Sequence, residues 1–314
     1  MKKILSIDGG GIRGIIPAAY LAEIEKRTGK PICTLFDLIA GTSTGGILAA
    51  ALTVPDSRGR PKNSAKDVYD AYIKNGAEVF RKRFLYKLRT LNGLAGPSYS
   101  PQALKRMLTE FLGNARLHMT LTDVLITSYD MSSSTPWFFK SAFARKNRAP
   151  ADDPLLKHAV LATAAAPTFF PPVTIEGHCL IDGGVFASNP ALCAYAEVKK
   201  MYPSEKEILI VSLGTGVENN NRTCRQIDRW GIMSWAVPIT GIMLNSSSAT
   251  VDYQLRALAG TQNYTRFQVK LKNDAGMDDA SEKNIRKLES IARSSIAQES
   301  DILEKLCRRL KESI

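Results

Sequence analysis

The sequence predicts an α/β fold, a three-layer α/β/α sandwich built around a mainly parallel sheet. Short apolar segments alternate along the chain with helical segments, which is the order that places helices on both faces of a parallel sheet. The segment 208–213 (ILIVSL) is almost continuously apolar, as expected of a strand covered on both faces. No internal repeat, low-complexity segment or linker divides the chain, so we expect residues 1–314 to form a single domain.

The first half of the chain is predicted to alternate between strands and helices on the basis of apolar periodicity and helix stop signals. The predicted strands are 4–7 and 36–40, and the predicted helices are 16–27, 47–53, 65–88 and 101–111. Polar segments at 55–64 and 93–100 are predicted as loops.

The second half contains more strand-like segments. The predicted strands are 124–128, 137–141, 179–181, 208–213 and 266–271, and helices are predicted at 155–166 and 284–310. The motifs described below all lie within 3–271, and a helical C-terminal segment covers about 281–314.

Composition is that of an ordinary globular enzyme, with 44% hydrophobic and 23% charged residues. The five cysteines are scattered and show no metal-ligand spacing, which favours free thiols in a reducing compartment. The N-terminal Met-Lys-Lys leads directly into a strand without the apolar region of a signal peptide, so we expect a cytoplasmic protein. The longest uncharged candidates for a membrane span, 159–175 and 230–244, both contain proline.

The chain carries 42 basic and 30 acidic residues, a formal net charge of +12, which favours anionic partners. The basic residues are dispersed and accompany no nucleic-acid recognition motif, so a reader of nucleic-acid duplexes is not expected. Two modest clusters are candidate sites for an anionic ligand, because guanidinium groups bind phosphates in bidentate fashion. They are Arg81, Lys82 and Arg83, and Arg145, Lys146 and Arg148.

The segment Gly41-Thr42-Ser43-Thr44-Gly45 has the pattern of a nucleophile elbow. A predicted strand precedes it and a predicted helix follows it, as the pattern requires. Gly41 and Gly45 allow the turn to pack closely against its neighbours while the serine adopts a strained conformation. Ser43 is therefore predicted to be a catalytic nucleophile.

The glycine-rich segment 8–14 (DGGGIRG) permits two interpretations. Gly9, Gly11 and Gly14 satisfy the dinucleotide-binding pattern, which also needs an acidic residue at the end of the second strand. Here Asp37 lies inside that strand instead. Consecutive glycine amides before a helix also form a cradle for negative charge. We therefore favour an oxyanion hole made by Gly9, Gly10 and Gly11, with Arg13 adding positive charge.

The base that activates Ser43 is less clear from the residues alone. Asp182 ends a short predicted strand and precedes Gly183 and Gly184, which permit close approach of substrate or backbone. A carboxylate there can accept the serine proton directly. A triad that combines Ser43 with Asp152 or Asp153 and a histidine such as His178 stays open, although none of His118, His158 and His178 lies in a recognisable catalytic context.

The three motifs, in this order, resemble the patatin-like phospholipase family. The similarity extends from about Lys3 to Pro190, and more loosely to Leu271, with one departure, Ser188 where relatives often carry asparagine. The resemblance implies a Ser43–Asp182 dyad, an oxyanion hole of glycine amides, and hydrolysis of phospholipid acyl esters. It also implies independence from calcium, other metals and cofactors.

The resemblance extends to partners and control. The family includes bacterial antiphage-defence phospholipases that cyclic oligonucleotides switch on, so such an activator, or self-association into a homo-oligomer, is a candidate control. The alternative is a constitutive lipid acyl hydrolase. The substrate implies peripheral contact with a phospholipid membrane. The uncharged segment 230–244 is a candidate anchor or a buried helix, whereas 137–139 is predicted to be a core strand.

Overall fold

The computed structural model describes residues 1–79, 97–218, 223–236, 238–271 and 276–312, apart from the side chains of Met233 and Ala236. The strands are β1 Lys2–Ile7, β2 Leu38–Gly41, β3 Asp123–Asp130, β4 Thr135–Lys140, β5 Val173–Ile175, β6 His178–Asp182, β7 Ile208–Leu213, β8 Val217–Glu218, β9 Tyr264–Phe267 and β10 Lys270–Leu271.

Helices separate most of these strands. They are α1 Ile15–Thr28, α2 Ile32–Leu35, α3 Thr44–Thr53, α4 Ala65–Val79, α5 Gln102–Leu112, α6 Ser141–Lys146, α7 Leu156–Thr163, α8 Gly184–Ala187, α9 Ala191–Met201, α10 Cys224–Ile227, α11 Ile232–Ala236, α12 Pro238–Ala259, α13 Glu282–Gln298 and α14 Ser300–Glu312. None of the described helices is both long and apolar enough to cross a bilayer.

The main sheet has the strand order β5-β6-β3-β2-β1-β7-β9, with β4 paired to β3. Its centre is parallel, since β1 pairs in parallel with β2 and β7, β2 with β3, and β7 with β9. The remaining pairs, β3 with β4 and β6, and β5 with β6, are antiparallel. The predicted α/β fold with a mainly parallel sheet is confirmed.

Alternate residues of the central strands enter two separate cores, one on each face of the sheet. Leu5, Ile39 and Val211 pack on the face covered by α1, α3, α5, α7, α13 and α14. Ile4, Leu38 and Ile210 pack on the opposite face, against side chains of α9 and α12. Because both faces are covered, Ile208–Leu213 is buried along its whole length, as its apolar sequence predicted.

The C-terminal helices belong to the larger of these two cores. Tyr20 of α1 donates a hydrogen bond to Ser295 of α13 at 2.7 Å, and Lys3 of β1 donates to the carbonyl of Leu310 at 2.8 Å. Leu288 and Leu303 are fully buried in the same layer. Helices α13 and α14 therefore support the sheet that carries the predicted site.

Strand β3 brings the chain segments of the predicted site together. Strand β4 occupies one edge of β3 along Leu125–Asp130, so β2 and β6 share the other edge. Strand β2 runs along that edge until Gly41 lies opposite Ile126, and β6 approaches from the other direction until Asp182 lies opposite Ser128. The two C-terminal strand ends thus meet head-on at Thr127.

Several boundaries differ from the sequence predictions. The predicted single strand 266–271 is two strands, β9 in the main sheet and β10 paired with β8 in a second, two-stranded sheet. The predicted strand 137–141 ends at Lys140, because Ser141 begins α6. The predicted helix 65–88 is described as far as Val79. Strands β5 and β8 and helices α2, α6, α8, α9 and α10 were not predicted, and the candidate buried helix 230–244 overlaps α11 and the start of α12.

Candidate active site

Ser43 occupies the sharp turn between β2 and α3, with φ 55° and ψ −121°, a conformation that is strained for a non-glycine residue. The flanking glycines are required by space. A Cβ on Gly41 would lie 2.2 Å from the Gly45 carbonyl oxygen, and one on Gly45 would lie 2.1 Å from the Ile7 carbonyl oxygen. The Ser43 amide donates to Thr163 Oγ1 at 2.8 Å, which fixes the turn from the side of α7.

Asp182 lies at the end of β6, is only 5% exposed, and faces the Ser43 hydroxyl closely enough for that hydroxyl to influence its ionisation. Burial raises the pKa of Asp182 to about 6, although hydrogen bonds from Ser43 and the Gly184 amide act in the opposite direction. The Gly184 amide donates to Asp182 Oδ1 at 2.7 Å and orients the carboxylate. A carboxylate with this pKa is poised to exchange protons near neutral pH.

Buried threonines join the two strand ends. Thr42, the residue before Ser43, lies 2.7 Å from Thr127 Oγ1 and donates to the Ala187 carbonyl at 2.6 Å. A Cβ on Gly183 would lie 2.2 Å from Thr127 Oγ1, so the residue after Asp182 must be glycine for the ends to meet. Neither Thr127 nor Thr163 was predicted from the sequence, because threonines in apolar segments carry no recognisable signal.

The glycine loop between β1 and α1 lies directly against Ser43, since a Cβ on Gly9 would be 3.4 Å from Ser43 Cβ. The Gly9 amide donates to the Ser188 carbonyl at 2.9 Å and is not available to a substrate. In the described part of the chain, the amides of Gly10 and Gly11 donate to no protein acceptor. These two amides, rather than all three, can bind a developing negative charge.

The Arg13 side chain does not add an uncompensated positive charge to this loop. It is 2% exposed and forms an ion pair with Glu218 of β8. Burial lowers the pKa of Arg13, while the Glu218 carboxylate favours its charged form. Arg13 therefore links the glycine loop to the second sheet, and its charge is neutralised there.

A second buried ion pair, which was not predicted from the sequence, anchors the start of the glycine loop. Arg266 of β9 donates to Asp8 Oδ2 at 2.6 Å, and Ser248 of α12 donates to the same oxygen at 3.2 Å. Both charged side chains are almost fully buried. Asp8 thus serves to position the loop, and β9 is the element that supplies its partner.

The histidines are engaged elsewhere or lie outside the site. His178 pairs with Asp130 at 2.8 Å, His118 pairs with Asp153 at 2.7 Å, and His158 is exposed on α7. His178 begins the strand that Asp182 ends, four residues and about 13 Å away along the strand. Among the described residues, no histidine forms a hydrogen bond with Ser43 or Asp182, so the triad alternative lacks its base.

The dinucleotide alternative also lacks its acidic residue. Asp37 precedes β2 instead of following it, and its carboxylate accepts hydrogen bonds from Lys2 Nζ and from the Lys3 amide, both at 2.8 Å. Asp37 thus ties together the N-terminal ends of β1 and β2. It lies at the opposite end of these strands from the glycine loop.

The two predicted anion-binding clusters stay untested as sites. Arg81, Lys82 and Arg83 lie outside the described residues. Arg145 donates to the Asp123 carboxylate and, at 2.6 Å, to the Thr120 carbonyl, so its guanidinium is committed to the protein. Arg148 lies 3.8 Å from Asp153, and Lys146 is exposed at the end of α6.

Comparison with known sequences identifies the family. The profile of the family described as "Patatin-like phospholipase" matches residues 5–195, which include Ser43, Asp182 and the glycine loop. The chain belongs to the patatin-like phospholipase family. Patatin-like protein 2 of Oryza sativa subsp. indica is 36% identical to this patatin-like chain, over 93% of the chain and 82% of the rice protein. The family indicates lipid acyl hydrolase activity.

Family membership and activity are separate matters. A potato protein named "Probable inactive patatin-3-Kuras 1", from Solanum tuberosum, is 32% identical over 96% of this patatin-like chain and 88% of its own length. The solved structure of VipD from Legionella pneumophila covers 95% of this chain and 67% of its own, with a TM-score of 0.40 and 11% identity. Because the name of the potato relative marks it as inactive, activity cannot be read from family membership alone and depends on the site residues.

Proposed function

We propose that this protein is a serine acyl hydrolase of the phospholipase A or lysophospholipase type, with Ser43 as nucleophile and Asp182 as base. The observation that carries the proposal is the meeting of the two strand ends, which sets a strained serine beside a buried carboxylate with a pKa of about 6. A base of that pKa accepts a proton near neutral pH without a histidine.

The reaction would proceed by acyl transfer. Asp182 takes the Ser43 proton as Ser43 Oγ attacks the ester carbonyl, and the amides of Gly10 and Gly11 stabilise the oxyanion. Asp182 then returns the proton to the departing alcohol, leaving an acyl-enzyme. Water attacks this ester with Asp182 again as base, and a fatty acid is released. Because the oxyanion is met by backbone amides, the scheme requires no calcium.

Labelling with a fluorophosphonate tests the nucleophile. We expect the adduct on Ser43, and we expect Ser43→Ala to reduce phospholipid hydrolysis to the background of the assay. Ser294→Ala, which removes an exposed hydroxyl on α13, is the matched control and should retain full activity. Labelling at another residue, or activity that survives in Ser43→Ala, contradicts the proposal.

We further propose that α11 and the first half of α12 contact the membrane. No charged residue occurs from Trp230 to Val251. Ile232 is 88% exposed and Met243 59% exposed, and Ile239 and Ile242 are also exposed. A Cβ on Gly184, two residues from Asp182, would lie 3.6 Å from the Leu244 side chain, so this apolar surface adjoins the site. Exposed apolar surface beside a lipid-hydrolysing site is suited to a bilayer interface.

Paired variants test the membrane contact. Ile242→Ser with Met243→Ser should weaken binding to vesicles, whereas Tyr253→Ser with Leu258→Ser, exposed apolar residues near the other end of α12, should not. Hydrolysis of a short monomeric ester should be unchanged by either pair. Equal loss of vesicle binding in both pairs would remove the special role of this surface.

Control by a ligand is a separate proposal. A phospholipase that shares the cytoplasm with its own membrane needs to be held inactive, and a net charge of +12 suits a phosphorylated activator such as a cyclic oligonucleotide. The test adds a panel of cyclic di- and trinucleotides to the purified protein and follows hydrolysis and oligomeric state. A rise of about tenfold, equivalent to about 1.4 kcal/mol of coupling, supports the switch. No change in either readout, with hydrolysis already high, supports a constitutive enzyme.

A further inference from the structure

A cleft of about 370 Å³ opens between α5, α7 and β5, within the size range of small-molecule sites. None of Ser43, Asp182 and the glycine loop lines it. It is separate from the proposed active site, and nothing in the proposed hydrolysis uses it.

The floor of the cleft is apolar. Leu104 of α5, Leu161 of α7 and Phe170, which precedes β5, line it and are each less than 10% exposed. These side chains come from three separate parts of the chain, so the floor is a packed surface that the fold holds in place. A hydrocarbon chain lying on it would remove apolar area from water.

The rim of the cleft is cationic. Lys105 of α5 and Lys157 and His158 of α7 all line it, together with neutral residues. Among the described residues, no carboxylate forms an ion pair with any of the three, and Lys157 Nζ donates instead to the neutral amide oxygen of Asn114 at 3.0 Å. Partial burial and then the charges of Lys157 and Lys105 lower the pKa of His158. Like charges gathered without a counter-ion favour the binding of an anion.

We propose that this cleft binds an amphiphilic anion, with its carboxylate or phosphate on Lys105, Lys157 and His158 and its hydrocarbon chain on the floor formed by Leu104, Leu161 and Phe170. Such a ligand is either a free amphiphile, for example a fatty acid, or a lipid with an anionic head group in a bilayer. The cationic rim alone would bind inorganic phosphate equally well. The apolar floor favours instead an anion that also carries a hydrocarbon chain.

The position of the cleft connects it with the nucleophile. His158 and Thr163 lie on the same helix, α7, five residues and about 8 Å apart along its axis. Thr163 accepts the hydrogen bond from the Ser43 amide. A ligand in the cleft would therefore bind to the helix that holds the nucleophile turn.

The experiment uses the Ser43→Ala protein, so that its outcome does not depend on hydrolysis. The three histidines of the chain are followed by ¹⁵N NMR as a function of pH, and His158→Gln assigns the His158 signal. His118 and His178, which are bound to Asp153 and Asp130, are internal references. The probes are monomeric decanoate, decanol, inorganic phosphate, and vesicles of phosphatidylcholine with and without phosphatidylglycerol.

Binding of an anionic head group should raise the pKa of His158 by about 1, because an opposite charge at close range favours the protonated imidazole. Decanoate should produce this change at concentrations where decanol and inorganic phosphate do not. The effect should be lost in Lys105→Ala with Lys157→Ala. It should persist in Lys66→Ala with Lys305→Ala, which removes the same charge from exposed positions on α4 and α14.

The outcomes separate the sources of the ligand. A change with decanoate assigns the site to a free amphiphile, whereas a change only with vesicles that contain phosphatidylglycerol assigns it to a bilayer lipid. Inorganic phosphate acting as strongly as decanoate overturns the amphiphile assignment. An unchanged His158 with every probe, or an equal response in both lysine pairs, overturns the site itself.

Discussion

Asp182 and Asp130 are two buried carboxylates on adjacent strands, and their pKa values are shifted in opposite directions. Asp182 is 5% exposed and Asp130 is fully buried. Burial raises the pKa of Asp182 to about 6. Burial also opposes the ionisation of Asp130, but hydrogen bonds from His178, the Ser132 amide and the Ser133 hydroxyl outweigh it and lower the pKa of Asp130 to about 2.

The difference lies in the donors around each carboxylate. Asp130 accepts three hydrogen bonds, at 2.8 Å from His178 and at 2.9 Å from both Ser132 and Ser133. Asp182 accepts a hydrogen bond from the Gly184 amide at 2.7 Å and another from the hydroxyl of Ser43, which it is proposed to deprotonate. A carboxylate surrounded by donors holds the local structure, whereas one with few donors is left as a base.

Replacing each carboxylate by its amide gives the largest expected contrast. Asp182→Asn should lower the rate of ester hydrolysis by about 10²–10⁴-fold, as expected for loss of a general base. Asp130→Asn should leave the rate of the folded enzyme within a few-fold, since Asp130 and His178 do not contact Ser43. The measurement is kcat/KM on a monomeric ester at pH 7.5. Comparable losses in the two variants would make the Asp130–His178 pair part of the catalytic machinery.

The same two variants should change stability in opposite directions. The pKa of Asp182 in the folded protein, about 6, exceeds its ordinary value of 3.8. Ionisation of Asp182 therefore lowers the free energy of unfolding. This loss is absent below pH 4 and complete above pH 6. Asp182→Asn should therefore stabilise the protein by about 3 kcal/mol at pH 8, with no gain below pH 4.

Ionisation of Asp130 has the opposite effect and raises the free energy of unfolding, because the folded-state pKa of Asp130, about 2, lies below the ordinary 3.8. It contributes stability that is present above pH 4 and is lost as the pH falls towards 2. Asp130→Asn should therefore lower the free energy of unfolding at pH 8. Urea unfolding of both variants at pH 8 measures the two changes in the free energy of unfolding. If both variants are stabilised, or both destabilised, this account of the two carboxylates is contradicted.

The pH profile gives a smaller effect and sharpens the assignment of Asp182. For a soluble monomeric ester, kcat/KM should rise with pH through about 6 as Asp182 loses its proton, and then level off. Asp130→Asn should keep this profile, because Asp130 is already ionised throughout that range. If Asp130→Asn shifts the midpoint of this profile, then the charge of Asp130 affects the pKa of Asp182, contrary to this prediction.

The α/β class predicted from the sequence is confirmed, and the motifs around Ser43, Asp182 and Gly10 bring these residues together in the fold, because such motifs report on backbone geometry. Gly41, Gly45 and Gly183 are glycines for reasons of local space, and such reasons are visible in a local pattern. The prediction for Arg13 did not anticipate Glu218, since that partner is 205 residues away in the chain.

Features that depend on long-range pairing were missed for the same reason. Nothing in a local segment indicates that Arg266 faces Asp8, or that Asp130 faces His178. The prediction that 266–271 is one strand was wrong because alternation of side chains does not reveal that Phe267 and Lys270 join different sheets. The distinction between Asp182 and Asp130 likewise needed the fold.

The head-on meeting of β2 and β6 makes the proposed activity depend on a small cooperative unit. The hairpin of β5 and β6 is joined to β3 by only three residue pairs, and it lies at the edge of the sheet. Local unfolding of that hairpin would carry Asp182 away from Ser43 while the parallel strands stay folded. Amide hydrogen exchange of Leu180 and Asp182 would then measure the free energy of opening this hairpin. Denaturant would abolish hydrolysis at a lower concentration than is needed to unfold the rest of the protein.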